Sequence, residues 1–138
     1  MSAGRSVSRL FLVSAAAYLL LGLALQAGQL TDLWLGLNPL AYTATSVIAQ
    51  VLLIGWLSQA AIGLLYGSVI VLQRAGMAAW GCLNLGLIAI IAGQPLLALT
   101  GSGLAGGVLA IGGLLQLAGG ALFAADLLAA RRGLQCRT

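Results

Sequence analysis

Gly55-Trp56-Leu57-Ser58-Gln59-Ala60-Ala61-Ile62-Gly63-Leu64-Leu65-Tyr66-Gly67 lies at the centre of an apolar run from Tyr42 to Gln73, and no charged side chain interrupts it until Arg74. At about 1.5 Å per helical residue, some 20 apolar residues cross a hydrocarbon core roughly 30 Å thick, and this run is longer than that. It reads as a transmembrane helix, tilted or projecting from the bilayer. Its small and polar residues say what surrounds it. Gly63 and Gly67 form a small-xxx-small pair and, with Gly55, let another backbone approach closely. Gln50, Ser58, Gln59 and Tyr66 need hydrogen-bond partners in a medium that offers none. Such a helix faces protein on at least one side.

The whole chain shares this character. Of its 138 residues, 62% are hydrophobic and only 6% charged, with a mean hydropathy of +1.11. A soluble domain carries about a quarter charged residues, so a water-facing surface cannot be covered here. The expectation is an all-α integral membrane protein. Its net charge of +4 is read through membrane topology rather than as a nucleic-acid footprint, and no nucleic-acid partner is expected. There is no His, no Glu and no Lys, and the only acids are Asp32 and Asp126. Haem, copper and zinc sites in helical bundles rely on His or on Cys clusters. Cys82 and Cys136 lack CxxC spacing and read as a helix-packing residue and a tail thiol. No metal, cofactor or catalytic residue is expected of this chain.

Working outward, residues 1–9 form a short polar head with Arg5 and Arg9, followed by an apolar run over about 10–30. A basic head before an apolar run also describes a signal peptide, but this run is long enough to span and no small-x-small cleavage site closes it. Thr31-Asp32-Leu33-Trp34 reads as the first break, with Trp34 suited to the headgroup layer. Asn38-Pro39 reads as a helix start, opening a second helix over about 39–72. Gln73-Arg74-Ala75-Gly76 reads as a tight turn into a third helix over about 77–99, with a kink or early end at Pro95. After Thr100-Gly101-Ser102-Gly103, a fourth helix covers about 104–130 and a basic tail closes the chain. Residues 1–138 thus form a single membrane domain, a four-transmembrane-helix bundle.

All six Arg (Arg5, Arg9, Arg74, Arg131, Arg132 and Arg137) fall in the head, the second connection and the tail. With four spans these segments share one side, and the positive-inside rule makes it cytoplasmic. A multi-pass protein with both termini inside is expected.

In the fourth helix, Gly106, Gly113 and Gly120 recur every seven residues, with Ala110 and Ala124 between them and Gly112 and Gly119 alongside. This stripe fits either packing inside the bundle, with Gly63 and Gly67 as the matching pair, or contact with a partner. Gln59 and Gln116 are placed at similar mid-membrane depth, while Asn84 is placed nearer the cytoplasmic side, level with Tyr66. Together with Gln50 these amides read as structural glue, since none of them changes protonation. Asp126 stands one turn before Arg131 and Arg132, at the interface.

Gly55-Trp56-Leu57-Ser58-Gln59, Ile62-Gly63 and Tyr66, followed by Leu83-Asn84-Leu85-Gly86 and Ala92-Gly93-Gln94-Pro95, carry a resemblance. Over residues 43–95 the chain resembles a group of small bacterial membrane proteins that look like cut-down relatives of the haem–copper oxidase catalytic subunit. The resemblance implies an His-x-His pattern shortly before the Gly-Trp pair, but Ile48 and Gln50 stand there. Kinship with respiratory membrane complexes, without the metal-binding histidines, implies a non-catalytic accessory subunit of an electron-transfer complex, respiratory rather than photosynthetic. Its partners would be larger integral membrane subunits and membrane lipids. The alternative is a small homo-oligomeric channel or transporter. Against the small multidrug exporters, which use a Glu in the first helix, stands the lack of any Glu; the Gly-Gly-x-Thr-Thr-Phe signature of dimeric fluoride channels is missing as well.

Overall fold

Long apolar stretches with no backbone partner in lipid must become helices, and they do. The computed structural model describes residues 3–36, 44–68 and 73–135. The elements are α1 (Ala3–Leu35), α2 (Ala44–Gln50), a π-helical segment (Val51–Ser58), α3 (Gln59–Ser68), α4 (Gln73–Thr100) and α5 (Gly103–Gln135). The α2, π and α3 pieces run on as one span, Ala44–Ser68. With Ser6–Leu35, Ala75–Thr100 and Gly103–Ala130, this makes four helices long and apolar enough to cross a membrane. Over the described residues the fold is all-helical, and its four candidate spans make the chain a multi-pass membrane protein.

The helix ends differ from the sequence expectation, for local reasons. The break expected at Thr31-Asp32 is helical, and α1 continues to Leu35. The Thr31 hydroxyl donates to the Ala27 carbonyl at 2.9 Å, so it bonds back along the helix instead of capping a new one. Gly36 ends α1: at φ +65° its N–H donates to the Asp32 carbonyl at 2.9 Å, a left-handed C-cap. Residues 73–76, expected as a turn, form the first turn of α4. Pro95 does not end α4, although it has no N–H to offer the Ile91 carbonyl; one lost bond is tolerated where neighbouring helices support the backbone. Gly101, at φ +60°, closes α4 by donating to the Leu97 carbonyl at 2.8 Å. Ser102 then caps α5, its hydroxyl accepting from the Ala105 N–H at 3.3 Å. The basic residues 131–132, expected in a tail, extend α5 by about a turn. The expected helix start at Asn38-Pro39 and the tail residue Cys136 lie outside the described residues.

Side-chain pairs set the register. Ser8 meets Gly67, Phe11 and Leu12 meet Gly63, and Tyr18 meets Gly55, so α1 runs antiparallel to the second span. Tyr18 reaches Asn84 and Ser14 reaches Trp80, so α1 and α4 run parallel. Between α4 and α5 the backbones themselves touch. A Cβ on Gly86 would fall 2.6 Å from the Gly112 carbonyl oxygen, and one on Gly119 would fall 3.1 Å from the Ala79 carbonyl oxygen. Between residues 103 and 130 of α5, the buried positions are 105, 112, 119 and 126, one every seventh residue. The up-down-up-down order brings the start of α1, the end of α3, the start of α4 and the end of α5 to one end. Val7, Phe11, Ile62, Tyr66, Ala79 and Leu83 form an apolar core there, with Trp80 and Phe123 packed on it.

Candidate functional site

Lipid supplies no hydrogen bonds, so each buried polar side chain must be satisfied by another helix or stay unsatisfied. The largest such group joins α1, α3 and α4. Tyr18 Oη donates to Asn84 Oδ1 at 2.8 Å, and Gln59 Nε2 donates to the same oxygen at 3.2 Å. Asn84 Nδ2 donates to the Trp80 carbonyl at 2.8 Å, and Trp80 Nε1 donates to Ser14 Oγ at 2.9 Å. Asn84 is the hub because its carbonyl oxygen has two lone pairs and both are used. Gln59 is wholly buried, and its Oε1 finds no donor. It follows directly on the π-helical segment, where the Ser58 hydroxyl donates to the Leu53 carbonyl at 2.8 Å.

Asn84 therefore lies level with Gln59, not with Tyr66. The placement nearer the cytoplasmic side fails because α4 begins a turn earlier than the sequence suggested. Gln116 is at this depth too, since its Cγ lies against Gly86, but it does not bond to Gln59. Its Nε2 is buried without a partner, as is Gln50 Oε1.

A second group lies toward the end where the chain begins. Tyr66 Oη donates to Asp126 Oδ2 at 3.0 Å, and Asp126 is only 5% exposed. The Tyr66 ring stacks on Phe11 at 5.6 Å and meets Phe123 edge-on at 5.7 Å. Nearby, the Ser8 hydroxyl donates to the Gly63 carbonyl at 2.7 Å. The composition singled out Asp126 as one of two acids but gave no sign that Tyr66 would hold it.

Toward the opposite end, Gln29 Nε2 donates to Thr45 Oγ1 and Ser46 Oγ donates to Gln94 Oε1, both at 2.7 Å. Ala44, Val47 and Pro95, chain neighbours of these residues, wall a cavity of about 270 Å³ together with Leu25, Ile48 and Ile91.

The glycines expected to pack helices divide into two sets. Gly63 and Gly67 pack against α1, not against α5: a Cβ on Gly63 would meet Leu12 and Phe11, and one on Gly67 would meet Ser8. Gly106, Gly113 and Gly120 have nothing within 4 Å of a built Cβ; Ala110, Gly113 and Gly120 are exposed and Gly106 is half-buried. The bundle uses the adjacent stripe through Gly112 and Gly119 instead. Among the described residues no group of three or more His, Cys, Asp or Glu side chains comes together, and Cys82 is a half-buried free thiol. No protein-family model, curated protein or solved structure matches the chain.

Proposed function

We propose that this chain is a non-catalytic integral membrane subunit that docks on a larger membrane protein through the outer face of α5. The observation that carries the reading is the open stripe of Gly106, Ala110, Gly113 and Gly120. Helices associate in lipid through close backbone contact at small residues, because apolar side chains gain nothing by leaving acyl chains. The α4–α5 contact in this chain uses that device on Gly112 and Gly119. The same helix carries a second small-residue face turned outward, and its span is the least buried of the four. A face of this kind suits a partner helix.

The resemblance of residues 43–95 to reduced relatives of the haem–copper oxidase catalytic subunit favours an electron-transfer complex as the setting. With Ile48 and Gln50 in place of histidines, the role is structural. The Arg-bearing end is assigned to the cytoplasm by the positive-inside rule, and the resemblance to small bacterial membrane proteins favours the bacterial inner membrane. Purification under mild detergent, with identification of co-purifying membrane subunits by mass spectrometry, tests the reading. Stoichiometric capture of redox-complex subunits is expected. A chain that purifies alone as a homo-oligomer and conducts ions in vesicles would replace this reading with that of a channel.

A further inference from the structure

The face of α1 that closes the cavity changes character along its length. Leu25, Gln29 and Asp32 are four and three residues apart, so they lie on one stripe of a helix unbroken through Leu35. Leu25 walls the cavity, Gln29 bonds Thr45, whose chain neighbour Ala44 also walls it, and Asp32 lies one turn beyond Gln29, half-buried. From Leu25 to Asp32 the axial distance is about 10 Å. The stripe therefore passes from hydrocarbon through neutral hydrogen-bonding groups to a carboxylate, the order in which a phospholipid presents its tail, glycerol region and headgroup.

The cavity walls are aliphatic and lie within the three spans that carry Leu25, Val47 and Ile91. At about 270 Å³ it is well over the size of an apolar cavity of about 150 Å³ that stays dry and admits benzene, so it takes a segment of alkyl chain. Beside the walls, next in chain to Ala44, Val47 and Pro95, the Gln29–Thr45 and Ser46–Gln94 pairs set amides against hydroxyls and carry no charge. The charge distribution chooses the headgroup. Asp32 is the one charged side chain in the stretch from Leu10 to Gln73. The chain's arginines at 5, 9, 74, 131 and 132 belong to the opposite end. A carboxylate at the membrane surface with no arginine at its end attracts an ammonium and repels an anionic headgroup.

We propose that this face binds one phospholipid with an ammonium-bearing headgroup, its acyl chain in the Leu25–Val47–Ile91 cavity and its ammonium at Asp32. The site names the lipid partner of the proposed subunit. It rests on the chain being membrane-embedded and does not depend on which protein α5 meets.

The test uses the full chain in mild detergent, with phosphatidylethanolamine or phosphatidylglycerol carrying the same diazirine-bearing acyl chain. After illumination, crosslinks are mapped by mass spectrometry. Labelling is expected to concentrate on residues 25, 44–48 and 91–95, severalfold stronger for the ethanolamine lipid. Asp32→Asn should abolish that preference while keeping the labelled positions, and Asp32→Glu should restore it. Ala44→Phe, which fills the cavity, should lower labelling by both lipids severalfold. Should that variant fail to fold by circular dichroism, the crosslink map and headgroup preference of the wild type decide alone. Equal labelling by the two lipids, labels spread evenly over all four spans, or full labelling of folded Ala44→Phe would overturn the site. Gly113→Leu, on the far face of α5, should leave lipid labelling unchanged, so a failed partner test and a failed lipid test are separable.

Discussion

The Tyr66 hydroxyl donates to Asp126 at 3.0 Å, tying the end of α3 to α5, although α5 otherwise leans almost wholly on α4. The bond closes the bundle at its Arg-bearing end. Tyr66→Phe keeps the ring between Phe11 and Phe123 and removes only the donor to a buried carboxylate. A loss of about 1.5–3 kcal/mol is expected, the range for one hydrogen bond to a charged group. Tyr66→Leu should lose about 0.5–1.5 kcal/mol more for each aromatic pair. Unfolding in mixed micelles measures both; equal stability of wild type and Tyr66→Phe would show that the bond contributes nothing.

Adjacent glycines of α5 should behave in opposite ways. A Cβ on Gly112 would sit 2.9 Å from the Gly86 carbonyl oxygen, backbone that cannot move aside cheaply. Gly112→Ala is expected to destabilise by about 1–3 kcal/mol through overpacking. Gly113→Ala meets nothing within 4 Å and should be neutral or slightly stabilising, since Ala is the better helix former. Thermal unfolding of the two variants in detergent is the comparison. A larger loss for Gly113→Ala would place the wrong face of α5 against α4.

These two glycines also show what the sequence could and could not convey. Apolarity and the positions of the six Arg made four spans and their alternation legible, because both are bulk properties of long segments. The inward face of α5 was not legible. Gly112/Gly113 and Gly119/Gly120 are neighbours, so two stripes share one seven-residue period, and only the bulk of α4 selects between them. The π-helical turn over Val51–Ser58 leaves no mark in hydropathy, since it changes hydrogen-bond partners and not composition. The hub role of Asn84 depends on a start for α4 that Gly76 and Arg74 disguised as a turn. The Tyr66–Asp126 bond joins residues 60 positions apart, beyond any local pattern.

Within the buried cluster, Asn84 should matter more than Gln59. Asn84→Leu deprives Tyr18 and Gln59 of their acceptor together and frees the Trp80 carbonyl of one donor. At about 0.6–2 kcal/mol for each bond in a membrane interior, a loss of a few kcal/mol is expected. Gln59→Leu breaks one bond at 3.2 Å and removes an acceptor that had no donor, so its loss should be small. Equilibrium unfolding of the two single variants and the double variant gives the coupling. A larger loss for Gln59→Leu would mean that Asn84 is not the hub.

Topology has a direct readout. Residue 74 lies in the first turn of α4 and residue 102 follows its end, so α4 places them on opposite sides of the membrane. With Cys82 and Cys136 replaced by Ser, Arg74→Cys should label from the cytoplasmic side and Ser102→Cys from the other, using a membrane-impermeant maleimide on intact cells. Labelling of both from the same side would defeat a four-span arrangement. Reversed labelling would keep the fold and overturn the assignment of the Arg-bearing end to the cytoplasm.

Gly113→Leu separates docking from folding. The side chain would start from the open face of α5, where a Cβ at residue 113 meets no other helix within 4 Å, so the bundle itself should be undisturbed. Insertion should be unimpaired, because Leu is at least as favourable as Gly in the bilayer interior. A partner helix seated on Gly106, Gly113 and Gly120 could not keep its close approach past a Leu. Tagged wild type and Gly113→Leu should therefore show the same expression, membrane fraction and unfolding curve, while the variant loses its co-purifying subunits on gel filtration. Wild-type co-purification retained in full by the variant would remove α5 as the docking helix. A variant that unfolds early would instead mean that this face is packed within the chain, against the open geometry at Gly113.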